Sequence, residues 1–136
     1  MPSGYSGTPL AKKLGIKSGA YYKIVNAPDD YFDLFEEWPS DSIEDHNDQP
    51  ETLDFIHLFC SNISEMLEHY HPAKTLMKKN GMMWVSWPKK SSGIKTDINS
   101  NEVRSFILDN GLVDVKVASI NDIWSGLKAV YRVVDR

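Results

Sequence analysis

Cysteine is nearly absent: Cys60 is the only one in 136 residues. An intramolecular disulfide is therefore excluded, as is chemistry that needs a thiol pair. Cys60 lies in the apolar run DFIHLFC, the setting of a buried, inert thiol. Long hydrophobic runs are missing too. No stretch approaches the roughly 20 apolar residues that cross a bilayer, and the first residues lack a signal-peptide core. The expectation is a cytoplasmic protein with no membrane contact. There is no excess of positive charge, since 15 Lys and Arg face 19 Asp and Glu for a net charge of -4. That balance argues against nucleic acid as a partner unless a local basic patch exists. Neither the Gly-x-x-x-x-Gly-Lys-Ser/Thr phosphate loop nor a Gly-x-Ser-x-Gly nucleophile turn occurs. The histidines lack metal-ligand spacing. His69 and His71, two apart, point to different faces of a helix, His46 lies in an acidic loop, and His57 lies in an apolar strand. No metal is expected, and His57 reads as a core residue with its hydrogen bonds satisfied.

What is present suits a single domain spanning 1–136. At 41% hydrophobic and 25% charged, a chain of this length buries roughly two thirds of its unfolded surface and needs no covalent staple. TPLAKKLG reads as a short helix with Thr8 as N-cap, Pro9 at its first position and Gly15 as its stop. YYKIVNA is rich in aromatic and β-branched residues and reads as a strand. PDDYFDLFEEW carries a proline, two acids and an apolar stripe, the signature of a helix. The acidic stretch 39–51 reads as loop with one short strand around Ile43.

LDFIHLFC is a near-continuous apolar run, as in a strand covered on both faces. Apolar residues from Ile63 to Met77 recur at helical spacing, with Pro72 as a kink and Asn80-Gly81 closing the helix. MMWVSW is another buried strand. NSNEVRSFILDNG is a helix started by Asn99 or Ser100 and ended by Gly111. LVDVKVAS and GLKAVYRVV both alternate, and their short connection requires an antiparallel pair. The fold class is α/β: a single open three-layer sheet, mostly parallel with right-handed crossovers and an antiparallel C-terminal strand pair.

The order strand, long helix ending in LMKKNGMMWVSW, helix, then a GLVDVKV strand paired with a terminal strand resembles the C-terminal half of a class I methyltransferase domain, over 53–134. Blocks spread along nearly the whole chain, GYSGTPLAKKLGIKSG, WVSWPKK, TD, GLVDVKV and WSGLK, resemble a bacterial family, domain of unknown function 3052. That resemblance implies a truncated, Rossmann-like methyltransferase fold and brings no activity with it. The methyltransferase resemblance implies S-adenosylmethionine as cofactor, but the chain departs from it. The turn after the first strand reads NAPDDY, with no glycine where the cofactor packs against bare backbone. Glu44 and Asp45 stand where an acid would grip ribose hydroxyls, and no acid-Pro-Pro-Tyr-like signature follows HLFC.

Ligands in open α/β sheets bind outside the carboxyl ends of strands, which directs attention to WPKKSSGIKTD. Lys89, Lys90 and Lys95 bring positive charge, Ser91, Ser92 and Gly93 bring hydroxyls and accessible amides, and Trp87 offers a flat ring. A solvated loop would look the same. GYSGTPLAKKLG is a second possible anion contact or a capping arm. Trp84, inside its strand, should fill core, and Trp124 in NDIWSGLK could reach the same sheet end. The expected ligand site is Asn26, Asp29, Trp87, Lys89, Lys90, Ser91, Ser92 and Trp124, with no catalytic residue assigned. The reading is a non-catalytic module that binds a small molecule or a protein partner. The alternative is an S-adenosylmethionine-dependent methyltransferase with an atypical cofactor turn, and nucleic-acid binding through Lys12, Lys13, Lys89, Lys90 and Lys95 comes third.

Overall fold

The computed structural model describes residues 9–136; Thr8 and the segment before it lie outside them. Helix α1 (Leu10–Leu14) follows Pro9 and ends at Gly15 with φ 84°, the left-handed conformation that favours glycine. Strand β1 (Tyr21–Val25) leads through a 3-10 turn at Tyr31–Leu34 to the two-residue strand β2 (Ile43–Glu44). Strand β3 (Leu53–Phe59), helix α2 (Ile63–Leu76), strand β4 (Met77–Pro88), helix α3 (Ser100–Asp109) and strands β5 (Leu112–Ser119) and β6 (Trp124–Tyr131) complete the order.

The six strands form one sheet in the order β2-β1-β3-β4-β6-β5. β1 pairs in parallel with β2 and β3, and β3 with β4. β6 enters antiparallel between β4 and β5. The expected α/β sheet with its antiparallel closing pair is the observed one. Alternation along the strands divides the core in two. One face carries Leu58, Met83, Val85, Trp87 and Leu127 under α2 and α3, which contribute Met66, Tyr70, Val103 and Ile107. The opposite face carries Tyr22, Phe55, Phe59 and Trp84 under Leu14 and Ile16 and the aromatic residues Tyr31 and Phe35.

Three local expectations are corrected. PDDYFDLFEEW forms no α-helix. Tyr31 and Phe35 turn inward, and Trp38 packs edge-on against both at 5.9 and 4.7 Å, so ring packing rather than helical periodicity organises the segment. The helix before β4 ends at Leu76, not at Asn80-Gly81. Those two residues lie inside β4, where the register with β3 breaks between Leu53 and Phe55. Gly81 sits so close to β3 that a Cβ there would meet Leu53 O at 2.7 Å. Finally, β5 does not alternate cleanly: Val115 and Val117 are exposed beside a bulge at Asp114/Lys116. α2 runs through Pro72.

Candidate functional site

β1 lies between β2 and β3, so the chain leaves it first to one side and later to the other. This is the topological switch point of the sheet, where ligands of open α/β folds sit. Here it is bridged by the protein itself. Asn26, at φ 57°, donates from Nδ2 to Phe59 O at 2.9 Å, tying the carboxyl end of β1 to that of β3. Asparagine tolerates this left-handed conformation better than most residues.

Beneath the bridge the space is filled by rings. Phe59 is stacked on His57 at 4.2 Å and met edge-on by Tyr31 at 5.6 Å and Trp124 at 5.0 Å. His57 is buried, with Nδ1 3.0 Å from the Tyr31 hydroxyl and Nε2 2.7 Å from Ser86 Oγ, so both ring nitrogens are satisfied as expected of a core histidine. Burial pushes its pKa down to about 3, which keeps the imidazole neutral. Burial, with Tyr22 second, raises the Tyr31 hydroxyl. Cys60 is buried, and burial, followed by the charge of Glu65, pushes its thiol up to about 12. That leaves it a packing residue rather than a nucleophile.

A groove of about 570 Å³ opens instead at the carboxyl end of β4, lined by 87–91, 96–100, Val117 and Ser125. Its floor follows from local chemistry. Lys89 N donates to Ile123 O at 2.7 Å, holding the strand end against the β5–β6 connection. A 3-10 turn, Lys90–Ser92, closes at Gly93 with φ 80°. Ser92 is consumed by that turn, donating to Lys89 O at 2.6 Å and accepting from Ile94 N at 3.2 Å. Thr96 Oγ1 donates to Ser61 O at 2.6 Å, and Asp97 accepts from Ile63 N at 2.9 Å at the start of α2. Asn99 caps α3 by accepting from Glu102 N at 3.0 Å, so the amide end of α3 borders the groove.

Lys89 Nζ is held by Ser119 Oγ at 2.6 Å. Lys90 and Ser91 are exposed at the rim. The Asp97 carboxylate, engaged with α2, is the one acid in the lining.

The eight expected site residues thus divide. Trp87, Lys89, Lys90 and Ser91 share the groove, although Trp87 is only 5% exposed and presents no open face. Ser92 is internal to the turn, Asn26 bridges the switch point, Asp29 is exposed in the loop after it, and Trp124 packs on Phe59 across the sheet. Lys95 is exposed outside the lining. Ile98, Asn99 and Ser100, beyond the stretch singled out, were missed as site-forming; their sequence signal, an N-cap next to a basic loop, reads first as helix capping. Among the described residues no three His, Cys, Asp or Glu groups gather as metal ligands, and no helix is long and apolar enough to cross a membrane.

No family model matches the chain, and no curated protein matches it. Solved structures do. A SAM-dependent methyltransferase from Aquifex aeolicus superposes with TM-score 0.53 at 14% identity, over 88% of this chain and 86% of that one. The 30S ribosomal A1408 methyltransferase from an uncultured bacterium gives 0.52 at 12% identity, over 90% and 92%. The fibrillarin pre-rRNA processing protein of Methanococcus jannaschii gives 0.52 at 14%, over 90% and 73%.

The fold is methyltransferase-like.

Such low identities carry the fold and nothing of the chemistry. The residues at the cofactor position of a methyltransferase-like sheet depart from the glycine-rich turn that S-adenosylmethionine packs against. The β1 turn offers Asn26, Ala27 and Pro28 in place of glycine, its side-chain bridge to Phe59 O spans the switch point, and no α-helix starts after it. Asp45, following β2, is buried and accepts from Asn47 N and Asp48 N of its own turn. The exposed Glu44 pairs with His46 at 3.2 Å.

Proposed function

We propose that this chain is a non-catalytic binding module on a methyltransferase-like fold, taking a small phosphate- or carboxylate-bearing molecule in the groove at the end of β4. One observation carries the reading. The Asn26 side chain bridges the switch point to Phe59 O, while a groove opens at the end of β4 with Lys90, Ser91 and the start of α3 around it. We also propose, from its sequence blocks, kinship with the bacterial domain of unknown function 3052, from which no known activity carries over, and we place its work in the cytoplasm. The second reading, an S-adenosylmethionine-dependent methyltransferase, is compatible with the fold this chain shares with the Aquifex aeolicus enzyme.

Thermal shift against S-adenosylmethionine, S-adenosylhomocysteine and a nucleotide panel separates them. Saturation about a hundredfold above the dissociation constant stabilises by about 2.7 kcal/mol. The binding module predicts a shift with phosphate-bearing molecules that Lys90→Ala removes, and none with the methionine compounds. A shift with S-adenosylmethionine that survives Lys90→Ala and is lost in Asp29→Ala promotes the methyltransferase. No shift with any compound moves the groove's occupant from a small molecule to a protein.

A further inference from the structure

The net charge of -4 conceals two regions of opposite sign. Residues 24–73 hold 13 of the 19 acids and no lysine or arginine, so all 15 basic residues lie outside them. The sheet sends these regions apart: β2, in the acidic region, forms one edge, and β5, beside β6, forms the other.

At that second edge five lysines gather. Lys116 and Lys128 lie directly opposite each other in the β5–β6 ladder, and Lys128 lies opposite Trp84 in the β6–β4 ladder. All three therefore rise from the α1 face of the sheet. Like charges directly opposite repel. Lys116 Nζ stands 5.9 Å from the Trp84 ring centroid and donates to Lys13 O at 3.0 Å. Lys128 Nζ reaches Gly15, 3.9 Å from where a Cβ on that glycine would stand. Lys13 Nζ donates to Ser119 O at 2.9 Å and Lys89 Nζ to Ser119 Oγ at 2.6 Å. Lys17, exposed just beyond α1, completes the group.

No carboxylate pairs with any of the five among the described residues; the Lys and Arg ion pairs there use Lys23, Lys78 and Arg104. Burial lowers the Lys13 and Lys128 pKa values, and neighbouring lysines lower them further. Among the described residues the cluster is thus a concentration of positive charge with no carboxylate in ion-pair contact.

Its shape selects the ligand. Lys128 stands at the level of Trp84, and Lys89 follows the end of β4 five residues after Trp84, a backbone separation of roughly 17 Å at strand rise. A row that long outreaches a single phosphate and suits a repeating anion. Its width is that of the Lys116–Lys128 cross-strand pair, about 5 Å between backbones, which suits one phosphodiester backbone rather than the two that flank a major groove of about 12 Å. Trp84 beneath it is buried, so no ring is offered for stacking, and lysines without arginine forks read backbone charge rather than base edges. We propose that Lys17, Lys128, Lys116, Lys13 and Lys89 form a docking row for the phosphodiester backbone of a single-stranded nucleic acid. The row runs over the α1 face and meets the small-molecule groove at Lys89, and it is a local basic patch that the net charge conceals.

Fluorescence anisotropy of labelled oligouridylate and oligothymidylate with the full chain, between about 50 and 200 mM salt, tests it. The expected result is binding whose logarithm falls with log salt at a slope of about -3, as four to five lysines on a single strand predict. Lys116→Gln with Lys128→Gln weakens binding by about tenfold or more at the low salt, the paired Lys→Arg change retains it, and Lys17→Gln, at an exposed position, flattens the slope by about 0.7. A preference between the two oligomers tells RNA from DNA, and equal binding marks pure backbone recognition. No anisotropy change at low salt, binding indifferent to all three neutralised lysines, or equal affinity for an oligoglutamate would overturn the proposal.

Discussion

His57 shows at the residue scale how a polar group inside an apolar strand can be structural. Its two nitrogens join Tyr31 from the aromatic segment to Ser86 of β4, linking three parts of the chain through one ring. The neutral form is the one the fold accepts, with the pKa pushed from the ordinary 6.5 down to about 3. The sign follows from linkage. Between those values the unfolded chain binds a proton that the folded one refuses, so the folded state loses stability as pH falls below 6.5, at about 1.4 kcal/mol per unit. At pH 5 the loss attributable to His57 is about 2 kcal/mol. Melting temperatures at pH 7 and pH 5 check this against His57→Gln. The variant is less stable at pH 7, but its melting temperature should fall less on acidification, because groups common to both proteins cancel. An equal fall in both would show that His57 does not titrate as described.

At the scale of elements, the junction of α2 and β4 was the hardest to read from sequence. Asn80-Gly81 carries a helix-stop signal, yet the helix has already ended four residues earlier, at Leu76. The glycine answers a different requirement, the close passage of β4 past Leu53 O. The Lys78–Asp54 ion pair at 2.9 Å holds the irregular register beside it. Gly81→Ala should therefore destabilise by about 1–3 kcal/mol, the usual cost of forcing atoms into filled space, seen as a lower denaturant midpoint at unchanged slope. Unaltered stability would mean the two strands are not so close. The 3-10 turn after β1 was misread for a related reason. Spacing alone does not tell an apolar stripe on a helix from rings folding in one after another, and Tyr31, Phe35 and Trp38 do the second.

Over the whole molecule, strand identity and the antiparallel closing pair were legible because they rest on period and connection length, which are local, whereas the strand order of the sheet was not. Buried LDFIHLFC and MMWVSW, the Asn99 cap and the antiparallel closing pair all stand where the residues placed them. The site was legible only in part. WPKKSS could be recognised as a strand-end loop, but nothing local to Asn26 says that its side chain crosses to Phe59 O, or that Trp87 and Trp124 face opposite layers. Likewise the lysines that converge, from α1, β4, β5 and β6, are scattered from 13 to 128 in sequence and meet only through the order β4-β6-β5.

The ligand site proposed on this methyltransferase-like sheet lies at the end of β4 and not at the switch point that Asn26 bridges. Backbone amide chemical-shift mapping tests it most directly, with S-adenosylhomocysteine and a nucleotide titrated separately into the labelled protein. Shifts confined to 87–91, 96–100 and 125 are expected with the nucleotide, and none with S-adenosylhomocysteine. Shifts centred on 25–30 and 44–45 with S-adenosylhomocysteine would contradict it and return the cofactor to the first strand.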